Sequence, residues 1–487
     1  MYKTLIGTSE MFYRYDRSSV DKSTYGAIGA NVDYQHSTMK KDELLTISYN
    51  INREPNNSEG MTELTNVENY YLASEYPKWN INKAYTLENT GQIDYTRPIF
   101  KGQTIETGVK YINRTNRSKT EEFVQNSDSK EWVDNSRDNS DFKHTQHIYS
   151  AYLGYTLRFK KLGLKTGVRA EGTALNAKFA KNHEMDFKTD YFNVVPNATL
   201  TYQIGMTDQL KLGYNMRIQR PGIWYLNPYI NDVNPQYVSQ GNPDLGSEKS
   251  NAINLGYSKF GQKFSINANL SYTFINNSIE SYNEVANFPE SDPRHIYNGA
   301  IWGTYGNIGK KHTADMSLYL NWTPKSWFNI YMNGSAKYID LDSKELNTST
   351  RGWSGRIFGG TRFSLPKDWY IYVNGGYLSP QIQLQTKGNR YFFLSSNVNK
   401  DLLKKKLTIS LGINNPFWKE IKLSSSTVTD GFSIRNDYYS KSRVGYISIA
   451  YKFGNLKEQI KKVSRGISND DQISGGSSNS SGSGSAQ

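Results

Sequence analysis

Residues 264–274 read Phe, Ser, Ile, Asn, Ala, Asn, Leu, Ser, Tyr, Thr, Phe, so apolar and polar side chains alternate without exception. A period of two marks a β-strand with one apolar and one polar face. The pattern returns downstream: His312, Ala314, Met316, Leu318, Leu320 and Trp322 share one parity, and Thr313, Asp315, Ser317, Tyr319, Asn321 and Thr323 hold the other. Phe328, Ile330 and Met332 then alternate with Asn329, Tyr331 and Asn333. The polar face is rich in Asn, Ser, Thr, Gly and Tyr, while the apolar face carries rings near its ends. That arrangement predicts an all-β, transmembrane antiparallel barrel, with lipid outside and a polar interior.

Dividing the chain at turn signals predicts strands near 4–17, 25–36, 42–54, 86–98, 102–117, 144–159, 163–180, 189–205 and 208–220. The series continues near 247–259, 264–284, 295–323, 327–342, 351–365, 368–381, 389–401, 406–427 and 440–454. This makes roughly 18 strands. Short connections at 160–162, 205–208, 260–263, 323–326 and 365–368 have tight-turn compositions. Long ones fall at 55–85, 118–143, 221–246 and 285–294, and the two kinds alternate. Short turns on one side and long loops on the other fit a bacterial barrel with periplasmic turns and extracellular loops. Residues 443–453 form an alternating last strand ending in Phe453; residues 455–465 are basic and 466–487 are rich in Gly and Ser. The expected division is therefore a barrel over 1–454 and a periplasmic, disordered tail over 455–487.

Composition changes the picture in three ways. The 487-residue chain is 36% hydrophobic and its mean hydropathy is -0.70, little for a soluble core of that size but natural where only every second strand residue meets lipid. The longest apolar run, 369–373, is far shorter than a membrane-spanning helix needs. Cysteine is absent, which removes disulfides, thiolate metal sites and cysteine nucleophiles, and the 37 tyrosines suit interfacial girdles and ligand-contacting loops. No signal peptide is visible at residues 1–8, so the expectation is that the signal has been removed or that the chain lacks its true beginning.

The most specific text is Arg217-Ile218-Gln219-Arg220-Pro221, then Leu226-Asn227-Pro228, then Gln240-Gly241-Asn242-Pro243-Asp244-Leu245 with Glu248. Together with Asn414-Asn415-Pro416-Phe417 and the closing strand through Phe453, it resembles the C-terminal barrel of TonB-dependent outer-membrane receptors, and most nearly the outer membrane protein beta-barrel family. The resemblance spans roughly residues 20–455. It implies a barrel in the Gram-negative outer membrane, surrounded by lipid and lipopolysaccharide and inserted by the barrel-assembly machinery. It also implies a nutrient ligand and energy from the TonB complex acting through a plug. The family has 22 strands and an N-terminal plug, neither of which is matched here, so a truncated chain is expected.

Within 221–246, Trp224, Tyr225, Tyr229, Asn231, Asp232, Tyr237 and Gln240 offer rings and amides for a polar ligand. The plainer reading, favoured here, is that Pro, Asn and Gly set turns that fold this loop over the barrel. The net charge of +13 is uneven: loops 118–143 and 221–246 are acidic, while Arg169, Arg217 and Arg362 lie at interior parity with Lys110, Lys165, Lys211 and Lys337. A basic interior would attract anionic solutes, or else pair with acidic groups of a plug. Dispersed cations give nucleic-acid binding no support.

Catalytic and metal readings fail on geometry. His144 and His147 are three apart on a strand and face opposite sides. Residues 303–311 mimic a phosphate loop with the wrong spacing and no helix, 340–345 lacks the glycine of a calcium loop, and no G-x-S-x-G elbow occurs. No enzyme activity, cofactor or metal is expected. The leading expectation is a receptor that captures a ferric siderophore, another metal complex, a peptide or a glycan. A passive pore, and an adhesin displaying Tyr70, Tyr71, Tyr76 and Trp79, are the alternatives.

Overall fold

The computed structural model describes residues 2–4, 11–38, 40–69, 76–135, 139–181, 183, 186–228, 230–232, 234, 236–454, 467, 469 and 471–473. Eighteen strands of the main sheet, labelled β1 to β18, build the wall. The first six are β1 (Met11–Tyr25), β2 (Ile28–Ser37), β3 (Leu44–Glu68), β4 (Lys78–Phe100), β5 (Gln103–Gln125) and β6 (Ser140–Phe159). Next come β7 (Leu162–Phe179), β8 (Phe187–Gln203), β9 (Asp208–Pro221), β10 (Glu248–Phe260), β11 (Phe264–Val285) and β12 (Ile301–Lys325). The last are β13 (Phe328–Ser343), β14 (Thr348–Leu365), β15 (Trp369–Leu378), β16 (Tyr391–Leu402), β17 (Leu407–Asn414) and β18 (Val444–Tyr451).

From β3 onward each strand pairs antiparallel with the next, while β1 and β2 share β3 as partner, β1 along its far half and β2 along its near half. Among the described residues no ladder joins β18 to β1 or β2.

Register carries the alternation across the wall. Phe264, Ile266, Ala268 and Leu270 stand opposite Trp322, Leu320, Leu318 and Met316, and Ser265, Asn267 and Asn269 stand opposite Asn321, Tyr319 and Ser317. A one-residue slip would exchange the faces of a whole strand, so matched parity fixes the pairing. The apolar face is exposed, as at Leu270, Tyr272 and Met316. The polar face turns inward and is covered toward the long-loop end: in β5, Arg114, Asn116, Ser118, Thr120 and Glu122 are all buried. No described helix is long and apolar enough to cross a membrane, a fact that does not bear on crossing by strands. At the short-turn end Trp327, Phe328 and Phe363 stack with centroids 5.0 to 6.3 Å apart, as an interfacial girdle would.

Several boundaries differ from the sequence reading, each for a local reason. Strands β3, β4 and β5 run through much of 55–85 and 118–143, because backbone pairing continues where the apolar alternation stops. Beyond the membrane the outward face meets water instead of lipid, and its polarity no longer reports pairing. The first strand lies at Met11–Tyr25 rather than 4–17, and residues 5–10 lie outside the described residues. Residues 295–300 precede β12: Pro293–Tyr297 is a 3-10 turn capped by Asp292, whose side chain accepts from the Arg294 amide. The expected strand 406–427 breaks at Asn415, which has φ of 46° and precedes a proline. Glu420–Val428 then leaves the wall and pairs with Ser433–Lys441 in a separate sheet with Thr386–Lys387, which also delays the start of β18 to Val444.

Candidate ligand site at the inner face

Strand β9 pairs with β8 only as far as Asn215, opposite Asn197, but stays on β10 to Gln219, opposite Glu248. Freed from one neighbour, its top bends inward and carries the Arg-Pro motif with it. Pro221 leads into a helical turn at Ile223–Leu226. Leu226 is 0% exposed and packs with Phe142, Leu175, Ala177, Phe179 and Leu245, all buried.

The rest of the motif closes this fold. The Gly241 amide donates to Asn227 O at 2.9 Å, the Asn242 amide to Tyr225 O at 2.7 Å, and Gln240 Nε2 to Pro228 O at 2.7 Å. A Cβ on Gly241 would lie 2.3 Å from Asn227 O, so only glycine fits. Tyr237–Gln240 adds a short parallel pairing to Ile301–Gly303 of β12. The plainer reading of the motif is therefore what the structure contains: its Pro, Asn and Gly fold the loop over the inner face.

The expected ligand residues divide between scaffold and lining. Asp232 is buried, paired to Lys78, and accepts from Tyr297 Oη at 3.1 Å; Tyr76 Oη donates to its carbonyl at 3.0 Å. Lys78 also reaches Glu122 at 3.4 Å, giving a buried cation two carboxylates. Tyr237 Oη donates to Asn283 Oδ1 at 2.7 Å. Tyr225 sits edge-on to Tyr305 at 4.7 Å, and burial, then Tyr305, pushes its phenol up, so it remains a neutral donor. Tyr229 lies outside the described residues.

Trp224, Asn231 and Gln240 line a cavity of about 340 Å³ between the folded loop and the tops of β1, β3 and β4. Trp224 Nε1 donates to Tyr305 Oη at 3.1 Å while its ring stays 55% exposed. Asp21, Glu59, Asn80 and Asn82 complete the opposite wall, and among the described residues no Lys or Arg lines the cavity. Sequence alone does not point to these facing residues, because the alternation that marks a strand stops within 55–85. Once β3 and β4 are extended, the inward parity of Asn80, Asn82 and Ala84 would have found them.

The interior cations lie elsewhere. Arg169 meets Glu171 at 2.6 Å, and Arg220 reaches the same carboxylate at 2.8 Å. Asp471 places one oxygen 2.8 Å from Arg114 and the other 2.8 Å from Arg220, with both arginine side chains 1% exposed. Gln472–Ile473 pairs parallel with Arg220–Pro221, and Asn469 Nδ2 donates to Glu88 Oε1 at 2.6 Å. This C-terminal stretch thus lies against the inner face, while 455–466 and 474–487 lie outside the described residues. Arg217 faces Ser250 across the ladder, and Arg362 faces Asn329 near the short-turn end, remote from the cavity. His144 is buried inward and His147 lies beside Tyr111 at 2.8 Å, so the two do not converge. Among the described residues no acid, His or Cys cluster could hold a metal.

The sequence signature of the outer membrane protein beta-barrel family matches residues 36–451. The chain belongs to that family. Its place is the Gram-negative outer membrane, as the resemblance implied. Solved structures agree on the fold of this barrel family member. The copper transporter OprC superposes with a TM-score of 0.58 at 12% identity, over 88% of this chain and 74% of that one. The siderophore receptor PiuA from Acinetobacter baumannii gives 0.60 at 14% identity, over 89% and 65%. The ferric yersiniabactin uptake receptor FyuA from Yersinia pestis gives 0.53 at 12% identity, over 92% and 72%. A search of curated protein sequences finds no significant match.

Proposed function

We propose that the chain is the barrel of a TonB-dependent receptor that captures a scarce nutrient at the long-loop end and passes it to the periplasm, the wall closing around a plug. The observation carrying this reading is the cavity formed where the folded loop faces β1, β3 and β4. It is fixed by buried bonds at Asp232 and Gly241 and offers an exposed indole beside amides, a preorganised site of the kind small ligands use. Its lining also narrows the ligand class. With Asp21 present and no Lys or Arg among the described lining residues, a ring-stacking, hydroxyl- or amide-rich solute fits better than an anionic ferric chelate. We therefore favour a glycan or a neutral peptide.

Two of the rings that motivate the adhesin reading are engaged at the mouth. Trp79 packs against Phe123 and Trp132 at 5.4 and 5.8 Å and bonds Glu59, and Tyr76 bonds the Asp232 carbonyl, so both rings hold the mouth together. Tyr70 and Tyr71 lie outside the described residues.

Glycan- and peptide-array binding by the purified chain tests the proposal. Trp224→Ala should weaken capture of the preferred ligand about tenfold, in line with the loss of one aromatic stacking partner. Unchanged capture in that variant and in Asn82→Ala would place the ligand elsewhere.

A further inference from the structure

Where β9 leaves the wall, it abandons an edge of β8. Strand β8 pairs with β7 from Phe187, opposite Ala177, to Tyr202, opposite Leu162, but meets β9 only from Asn197 to Gln203. Among the described residues, 187–196 therefore has β7 as its one neighbour, and the alternate backbone N–H and C=O groups of its other edge have no ladder partner. Pro196 stands at the border, and proline within sheets is confined to edges and irregularities because it brings no N–H to a ladder. At about 3.3 Å per residue the open edge is roughly 30 Å long.

A cavity of about 410 Å³ runs beside this edge. Thr189, Tyr191 and Asn193 line it from the inward parity of β8 and Phe192 from the outward parity, which a cavity at the strand's margin allows and one confined to a single face does not. Pro243, Ser247 and Lys249 of the returning loop form the facing side, so the cavity lies in the gap that β9 left. Asn193 is 4% exposed, and its Nδ2 has no acceptor among the described residues. Glu171, opposite it in the ladder, is taken by Arg169 and Arg220. A buried amide donor is costly to leave unpaired, and this one borders the cavity.

We propose that the free edge of β8 and this cavity form a site for an extended peptide, which adds to the wall as a strand. The occupant follows from the groups on offer. A strand edge repeats its donors and acceptors every two residues, about 6.8 Å, and a second peptide backbone matches that repeat while a sugar ring does not. Leu175, Phe187 and Leu245 also line the cavity, so a peptide with an apolar side chain at every second position fits, one of its carbonyls accepting from Asn193 Nδ2. Asp244 and Lys249 bring one charge of each sign, so the net charge of the peptide selects little. The same break already holds an added strand: Gln472–Ile473 pairs with Arg220 and Pro221 at the bent tip of β9, and Pro221 borders the cavity. This site faces β8, shares no lining residue with the Trp224 cavity, and goes beyond the capture reading.

The test uses the full chain in detergent micelles and, as probe, a capped hexapeptide alternating valine and threonine, with amide hydrogen exchange read by mass spectrometry. Saturating probe should slow exchange across 187–196 about tenfold or more, as ladder pairing does. N-methylating every valine, or every threonine, removes one set of the probe's donors at a time. One pattern should abolish the protection and the other retain it, because only one parity of an added strand faces its neighbour. Asn193→Ala should weaken the probe about threefold to tenfold, the worth of one hydrogen bond, and Thr189→Trp, which fills the cavity from β8, should abolish its binding. Heat-dependent electrophoretic mobility reports folding for each variant. Protection is read at 187–196 alone, so failure here leaves the capture reading standing, and the reverse. Exchange unaltered by the probe, both methylation patterns acting alike, or binding unchanged in both Asn193→Ala and Thr189→Trp would overturn the assignment. So would an edge protected without probe until residues 474–487 are removed, since its occupant would then be the chain's own end.

Discussion

Asp471 is the residue on which the most buried charge depends. Arg114, Arg169 and Arg220 meet Glu88, Glu171 and Asp471, so cations and carboxylates balance only with Asp471 in place. Burial alone would raise its carboxyl; Arg114 and then Arg220 outweigh burial and hold it down to about 2, from an ordinary 3.8. A depressed carboxylate stabilises its docked state above the free value and loses that contribution as pH falls through the docked value. Docking of Asn469 and 471–473 should therefore be constant above about pH 4 and weaken between about 4 and 2, by about 2 kcal/mol in total. A spin label on Ile473→Cys, in a chain with no other cysteine, should become mobile over that window. Asp471→Asn should make it mobile at neutral pH; a label equally restrained in both proteins would contradict the balance described. None of this was legible in sequence. Arg220 stood out as part of a motif, but its partner lies in a polar tail whose composition reads as disorder.

At the scale of elements, the decisive event is the departure of β9 from β8 after Asn215. The turn-making residues of 221–246 were readable, and so was their role in folding the loop. Its direction was not, because the Leu226 contacts with Phe142 and Phe179 join segments remote in sequence. Leu226→Ala should cost the folded loop roughly 2–5 kcal/mol, the range for emptying a packed leucine site. Protease cleavage within 222–246 should then appear while the sheet's thermal transition is retained; a loop that stays protected would mean Leu226 is not its anchor. The long strands were legible wherever lipid enforces a two-residue period. Above the membrane that constraint lapses, so β3 to β5 extend beyond the point where alternation ends. The break at Asn415 was visible as Asn-Pro, yet the alternation of polar and apolar residues across it masked the change of sheet.

At the scale of the whole molecule, the wall has an apolar exterior and a polar interior, with its mouth narrowed by its own loop. Of the cations expected at interior parity, Arg169 is committed to Glu171 and Lys165 to Glu106, while the described lining of the cavity offers Asp21 and amides. Outer-membrane identity followed from the period of two and family membership from the motifs, while the lining of the cavity needed the tertiary structure.

Energised import through this barrel is the proposal on which the rest depends. It is tested most directly by measuring uptake of the glycan or peptide selected by array binding in cells carrying the complete gene, with and without TonB. Uptake should be saturable, lost without TonB and reduced about tenfold by Trp224→Ala, the same factor expected for capture. Uptake that persists without TonB and ignores Trp224→Ala would contradict it.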